Sequence, residues 1–142
     1  MELYETIVLW YLTKDAHTFV SPQYSIRGDH GREWSCPDFV SLNFCTKTVS
    51  IVEVSTAYDP AALIRKVQNR DNQWIARLKD QLMRNRVVDE TWKDYRVHVF
   101  VRRGAAEQLQ AAIAGAQDVQ ITMLDELPPP WEWSRTYDCP PA

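Results

Sequence analysis

Two carboxylate side chains stand beside apolar runs in the stretch from Cys36 to Pro60. Asp38 precedes the apolar run that begins at Phe39, and Glu53 lies inside the run SIVEVS. A carboxylate within an apolar strand costs stability unless it has a partner, because its charged form loses hydration. Two such groups at close range repel each other unless a cation lies between them or one of them keeps a proton. Oxygen ligands suit a hard cation such as Mg²⁺ or Mn²⁺, so the pair predicts a metal site.

A β-hairpin must position these two acids. Residues 37–45 and 46–56 are rich in apolar and β-branched side chains and predict two strands that meet at the short turn CTKT. The turn length predicts a register in which Asp38 faces Ser55. Because side chains alternate along a strand, Asp38 and Glu53 would then be diagonal neighbours on one face of the sheet.

The other elements follow from hydrophobic spacing and from turn residues. They are a helix over 2–14, a strand over 17–27 interrupted at Pro22, a helix over 60–84 begun by Asp59 and Pro60, a strand over 95–103, a helix over 105–116 and a strand over 119–127. The predicted order is α-β-β-β-α-β-α-β, which is an α/β fold with a mixed sheet flanked by helices. We expect one domain over 1–127 and a Pro- and Trp-rich tail over 128–142.

Length and composition limit the class of protein. A chain of 142 residues with 45% hydrophobic and 25% charged residues has the usual globular mixture. The longest apolar run is too short to span a bilayer and lacks the features of a secretory signal, so we expect no membrane partner and a cytoplasmic location. The three cysteines have no metal-ligand spacing, and we expect reduced thiols.

Positive charge is concentrated in one helix although the net charge is −3. The basic residues of this stretch are Arg65, Lys66, Arg70, Arg77, Lys79, Arg84 and Arg86. Together with Arg27 and Arg32 near the GDHG turn, this surface could follow a DNA backbone. A solvated helix face is the alternative. Trp34 could stack on an exposed base or act as a packing anchor.

The motif pattern resembles a known family. The sequence PD at 37–38 is followed by EVS at 53–55 at the end of an apolar strand, with a glutamate-bearing helix before and another helix after. This pattern is similar to that of the PD-(D/E)xK nuclease superfamily, which includes restriction-endonuclease-like domains and Holliday-junction resolvases. The resemblance covers residues 2–103 and implies a restriction-endonuclease-like three-layer core.

The resemblance implies a role for each matched residue. Asp38 and Glu53 would hold a divalent metal, Mg²⁺ or Mn²⁺, and Glu5 matches the glutamate that many members carry on the first helix. Ser55 occupies the position of the lysine, which in the family orients the attacking water and steadies charge on phosphate. In some members the basic residue sits on the following helix, where Lys66 is the best candidate. Arg65 and Arg70 come next.

The implied function is metal-assisted hydrolysis of DNA phosphodiester bonds, with a preference for a particular DNA structure left open. Because a serine cannot replace a cation, an inactive module of the same fold that binds DNA or a protein partner is an alternative. A third interpretation is an unrelated α/β protein, in which Glu53 would pair with a buried arginine or lysine. The sequence also leaves a homodimer open, since symmetric dimers are common where both strands are cut. No P-loop, dinucleotide-binding, zincin or nucleophile-elbow motif occurs.

Overall fold

The computed structural model describes residues 2–128. In chain order the helices and strands are α1 (Leu3–Leu12), β1 (Thr18–Pro22), β2 (Ile26–Arg27), β3 (Glu33–Ser35), β4 (Phe39–Asn43), β5 (Thr48–Ser55), α2 (Ala61–Gln68), α3 (Ala76–Arg84), β6 (Asp94–Val101), α4 (Arg103–Ala112) and β7 (Val119–Met123). A π-helical turn, Asp71–Ile75, joins α2 to α3. The Pro- and Trp-rich tail predicted for 128–142 lies outside the described residues apart from Pro128.

Five of the strands form one mixed sheet in the order β1-β4-β5-β6-β7. The pairs β1–β4 and β4–β5 are antiparallel, whereas β5–β6 and β6–β7 are parallel. The parallel pairs follow from the helices α2, α3 and α4, because a parallel neighbour requires a crossover connection. The carboxyl ends of β5, β6 and β7 therefore meet at one edge of the sheet.

Helices cover both faces of this sheet. On one face, Val49 and Ile51 pack with residues of α2, α3 and α4 such as Val67 and Leu109. On the other face, Phe39, Val52 and Phe100 pack against Val8 of α1. Alternating side chains of β4 and β5 thus supply both cores. The predicted mixed α/β class and its three layers, helix on sheet on helix, are confirmed.

The long helix predicted over 60–84 begins at Ala61 and continues through the π-helical turn to Arg84. The Asp59 carboxylate accepts a hydrogen bond from the backbone N–H of Ala61 at 3.0 Å, as expected of an acid at a helix start. The spacing of apolar residues gave no sign of the π-helical turn, because seven residues separate Val67 from Trp74, as two turns of a regular helix require.

A small second sheet, β2 paired with β3, was not predicted. The GDHG segment between these strands turns through His30 and Gly31, whose φ angles are 60° and 71°. This β2–β3 hairpin packs on α3, where Gln81 accepts from the backbone N–H of Arg27 at 2.7 Å. Because β3 has only three residues, of which the first two are exposed, no alternation marks it in the sequence.

The register predicted for the β4–β5 hairpin is wrong by two residues. Val49 pairs with Leu42, and Thr48 pairs with Asn43 across a four-residue loop. The cause is Asn43, whose side-chain oxygen accepts from the backbone N–H groups of Cys45 at 2.9 Å and Thr46 at 3.1 Å and so starts the turn early. A shift of two keeps every side chain on its predicted face.

Two further expectations concern the cysteines and membranes. Cys36 is an exposed free thiol, but Cys45 is disulfide-bonded, so the prediction of reduced thiols is wrong for Cys45. Cys139 lies outside the described residues. Each helix within 2–128 is too short or too polar to cross a membrane.

Candidate active site

Asp38 lies immediately before β4, at the edge of the sheet where β5 ends. Continuing the register from the pair Phe39–Val52 by one residue brings Asp38 opposite Glu53, not opposite Ser55 as predicted. The Asp38 Oδ2 atom accepts a hydrogen bond from the backbone N–H of Val54 at 2.7 Å. The aspartate side chain is therefore fixed against the strand that carries the glutamate.

Glu53 hydrogen-bonds to Asp38, and the two carboxyl groups share an environment that favours the neutral form. Burial, followed by the negative charge of Asp38, raises the pKa of Glu53 to about 8, although the positive charge of Lys66 acts in the opposite direction. Burial is also the main cause that raises the pKa of Asp38, while its hydrogen bond from Val54 opposes the shift. At neutral pH Glu53 therefore keeps its proton.

Glu5 of α1 is the third carboxylate at this point. Its Oε2 atom accepts from the backbone N–H of Glu2 at 3.2 Å, and the Glu2 side chain accepts in return, which makes a capping box at the start of α1. The Glu5 side chain also hydrogen-bonds to Asp38, and its charge raises the pKa of Asp38. The capping box therefore orients Glu5 toward Asp38 and Glu53. The hairpin pattern predicted that Asp38 and Glu53 lie together, and the family resemblance implied Glu5 as the third acid.

The predicted basic partner, Lys66, is an exposed residue of α2 whose charge reaches Glu53. Ser55, at the last position of β5, accepts from the backbone N–H of Ala57 at 3.3 Å and supports the turn that follows the strand. An unrelated α/β protein would pair Glu53 with a buried arginine or lysine. Within residues 2–128 no such salt bridge to Glu53 exists.

The residues predicted to contact DNA divide into two groups. Arg27, Arg32 and Arg65 have exposed side chains. Arg70 does not point away from the protein, because its guanidinium group binds both oxygens of Asp118 at 2.6 and 2.8 Å. Arg70 therefore links the end of α2 to the segment before β7.

Two groups near the acids were not predicted. Burial is the largest cause that raises the pKa of the Cys36 thiol, and the negative charges of Glu33, Asp38 and Glu53 raise it further. The thiol therefore lies beside the carboxylates. Gln73 of the π-helical turn donates to Ser35 Oγ at 3.3 Å and holds the segment before Cys36 against the helix. No sequence signal marks either contact, since both depend on the β2–β3 hairpin.

A cavity of about 370 Å³ lies on the other face of the sheet, next to the end of α1. Ser41, Ser50 and His98 are among its lining residues, and none of the three acids lines it. Burial lowers the pKa of His98 to about 4, and its Nε2 atom is 2.7 Å from Thr122 Oγ1. A neutral, hydrogen-bonded histidine of this kind is a packing residue.

The three carboxylates are oxygen donors, the ligand type that a hard divalent metal prefers. No group of three His, Cys, Asp or Glu side chains in residues 2–128 is spaced to hold a metal ion as it stands. Mg²⁺, however, is usually bound by one or two protein carboxylates together with waters and substrate phosphates. Asp38 and Glu53 meet this requirement, because their carboxyl oxygens lie side by side. A bound cation would replace the proton that Glu53 keeps.

Comparison with known proteins adds no relative. No family model, curated protein or solved structure matches this chain. Functional conclusions therefore depend on the geometry of the carboxylate site.

Proposed function

We propose that this chain is a Mg²⁺- or Mn²⁺-dependent DNA endonuclease of the PD-(D/E)xK type, which hydrolyses phosphodiester bonds. The observation that carries the proposal is the convergence of Glu5, Asp38 and Glu53 at one edge of the sheet, with the charge of Lys66 next to them. Holding three carboxylates together raises the free energy of the folded protein in the absence of a cation. A cation at this point would remove that cost.

Asp38 and Glu53 would hold the metal, and Glu5 lies beside them as the third carboxylate. When bound, a divalent metal supplies a water of lowered pKa and polarises the scissile phosphate. The protein fixes the donors: the Val54 N–H orients Asp38, and the Glu2 N–H orients Glu5. The donors are therefore oriented in advance of metal binding, which reduces the reorganisation that catalysis requires.

Lys66 would take the role that the family gives to the lysine at the position of Ser55. Its ammonium group lies close enough to Glu53 to lower the pKa of that carboxyl group, and it is exposed to an incoming phosphate. A cation in this position would offset the negative charge that develops on the phosphate in the transition state. The exposed guanidinium groups of Arg27, Arg32 and Arg65 would contact the DNA backbone, whereas Arg70 is committed to Asp118.

The test is a cleavage assay with Mg²⁺ and with Mn²⁺ on single-stranded, duplex, flap and four-way-junction DNA. We expect Asp38→Ala to lower the cleavage rate at least about a hundredfold. Glu107→Ala, which removes an exposed carboxylate of α4, is the matched control and should cleave as the wild type does. Cleavage that persists unchanged in Asp38→Ala would contradict the proposal.

Ser55 favours a second candidate function, binding without catalysis. Its hydroxyl group accepts a hydrogen bond from the backbone N–H of Ala57 and carries no positive charge. The same fold would then bind DNA or a protein partner without cutting. Folded wild-type protein that binds DNA but cleaves none of the four substrates would support this candidate. The homodimer and the cytoplasmic location stay predictions from the sequence.

A further inference from the structure

Trp34 is a large aromatic side chain that remains 43% exposed. It lies on β3, four residues before Asp38. Four residues span at most about 14 Å, so the ring is attached close to the candidate active site. It stands on the same side of the sheet as Glu53, because it contacts the π-helical turn between α2 and α3.

The ring of Trp34 is held rigidly. Its Nε1–H group donates to the backbone carbonyl oxygens of Asn72 and Gln73, each at 3.1 Å. Gly28 lies against the same residue, since a Cβ atom at position 28 would come within 3.3 Å of the Trp34 Cβ atom. A fixed ring loses little conformational entropy when a second flat group stacks on it.

One positive charge lies over this ring, and the hairpin that carries the ring has both arginines and exposed acids, Asp29 and Glu33. The guanidinium group of Arg77 lies 4.1 Å from the ring centroid, within the range of a cation–π contact, and its Nη1 atom is 3.5 Å from Asp29. Arg27 and Arg32 of the same hairpin are exposed. An exposed aromatic ring beside a guanidinium group matches a nucleotide, whose base is a flat π system and whose phosphate is an anion.

The cations beside the acids and beside the ring lie on two consecutive helices, α2 and α3, which the π-helical turn joins. Lys66, next to Glu53, and Arg77, next to Trp34, are eleven residues apart, which is about 16 Å at the rise of an α-helix. Gln73 lies between them and bonds to Ser35. A surface therefore runs from the carboxylates to the ring, bounded by the helix on one side and by the β2–β3 hairpin on the other.

We propose that Trp34, backed by Arg77, stacks on one unpaired base of a single-stranded DNA segment beside the carboxylate site. The inference rests on the proposed function and names its substrate class: DNA that contains a single-stranded part. A paired base in a duplex has both faces covered by its neighbours and cannot stack on the ring without leaving the helix.

The test is the affinity for a fluorescently labelled single strand and for a blunt duplex of equal length, measured by anisotropy in EDTA so that no cleavage occurs. We expect Trp34→Ala to weaken single-strand binding about tenfold and to leave duplex binding unchanged. Trp34→Phe keeps a ring but loses the Nε1–H hydrogen bonds, and should retain most of the affinity. Trp10→Ala is the matched control, because Trp10 is 52% exposed on α1.

Three results would overturn the inference: single-strand affinity unchanged in Trp34→Ala, an equal loss in Trp34→Ala and Trp34→Phe, or an equal loss for duplex and single strand. The second result would mean that the hydrogen bonds to the π-helical turn matter and the ring does not. Circular dichroism establishes that each variant is folded. Trp34-dependent binding without any cleavage would refute only the proposed nuclease, and cleavage without Trp34-dependent binding would refute only this inference.

Discussion

Asp38, just before β4, faces Glu53, near the end of β5, and the carboxyl groups of the two residues are joined by a hydrogen bond. The backbone N–H of Val54 fixes the aspartate from one side, and the helix-capping Glu5 contacts it from another. Because these contacts come from α1, β4 and β5, the fold itself forces the acids together. In the metal-free protein Glu53 therefore keeps a proton that an isolated glutamate would lose at neutral pH.

The stability of the metal-free protein should therefore depend on the protonation of Glu53. Its pKa is about 8 in the folded protein and near the ordinary glutamate value of 4.5 in the unfolded chain, so the folded state binds more protons between these limits. The free energy of unfolding then falls as pH rises through this window and levels off above it. We expect Glu53→Gln to unfold roughly 3–5 °C above the wild type at about pH 9.

The comparison between variant and wild type separates this effect from that of His98. The lowered pKa of His98 gives a slope of opposite sign. Between pH 6.5 and about 4 His98 gains a proton in the unfolded chain but stays neutral in the folded protein, so stability falls as pH falls. Both proteins contain His98, so its contribution cancels in the difference between their melting temperatures. A difference that stays constant from about pH 5 to about pH 9, measured in EDTA, would contradict the shared-proton arrangement.

Lys66 should affect the rate of cleavage more than the affinity for DNA. Its charge reaches Glu53, while that of its neighbour Arg65 is not among the main influences on the same carboxyl group. We expect Lys66→Ala to lower the single-turnover cleavage rate by about tenfold to a hundredfold, because it removes a cation beside the reacting phosphate. Arg65→Ala removes the same charge one residue away and is the matched control.

For Arg65→Ala we expect a weaker, less salt-dependent affinity for DNA and a nearly unchanged rate at saturating enzyme. Lys66→Arg should recover part of the rate, since it restores the charge with a different shape. Equal loss of rate in Lys66→Ala and Arg65→Ala would mean that both residues act only as part of a general positive surface.

Arg70 should contribute to stability and not to DNA binding. Its guanidinium group binds Asp118 through two nitrogen atoms, and its Nη1 atom donates to the carbonyl oxygen of Val67 at 3.0 Å. We expect Arg70→Ala to lower the free energy of unfolding by about 1 kcal/mol, because the pair is bidentate but partly exposed. Urea unfolding of Arg70→Ala, Asp118→Ala and the double variant would measure the coupling directly.

If Arg70 contacted DNA, Arg70→Ala would weaken binding as much as Arg65→Ala does. A coupling energy near zero between positions 70 and 118, together with such a loss of affinity, would restore the sequence-based prediction for Arg70.

The sequence predicted that Asp38 and Glu53 lie together, and this prediction does not depend on the exact register of the β4–β5 hairpin. Asp38 and Glu53 fall on one face because side chains alternate, and a register error of two residues preserves that face. Regular spacing and strong turn residues likewise predicted the order of the main elements. The β2–β3 hairpin and the π-helical turn were missed because tertiary contacts, such as Trp34 on the carbonyl groups of Asn72 and Gln73, form them.

The register itself should depend on the side chain of Asn43. Its oxygen atom accepts from the backbone N–H groups of Cys45 and Thr46 and closes the four-residue loop between β4 and β5. We expect Asn43→Ala to lower the free energy of unfolding by about 1 kcal/mol, because two loop N–H groups lose their acceptor. Asn43→Asp keeps an acceptor in the same position and should be close to the wild type by urea unfolding.

The same substitution also tests whether the loop supports the site at the other end of the strands. If the pairing of Asn43 with Thr48 holds Asp38 opposite Glu53, Asn43→Ala should reduce the stabilisation by Mg²⁺ in a thermal-shift experiment, and Asn43→Asp should not. Full Mg²⁺ stabilisation in a destabilised Asn43→Ala protein would mean that the Val54 N–H and the two cores are sufficient to position the acids without the loop.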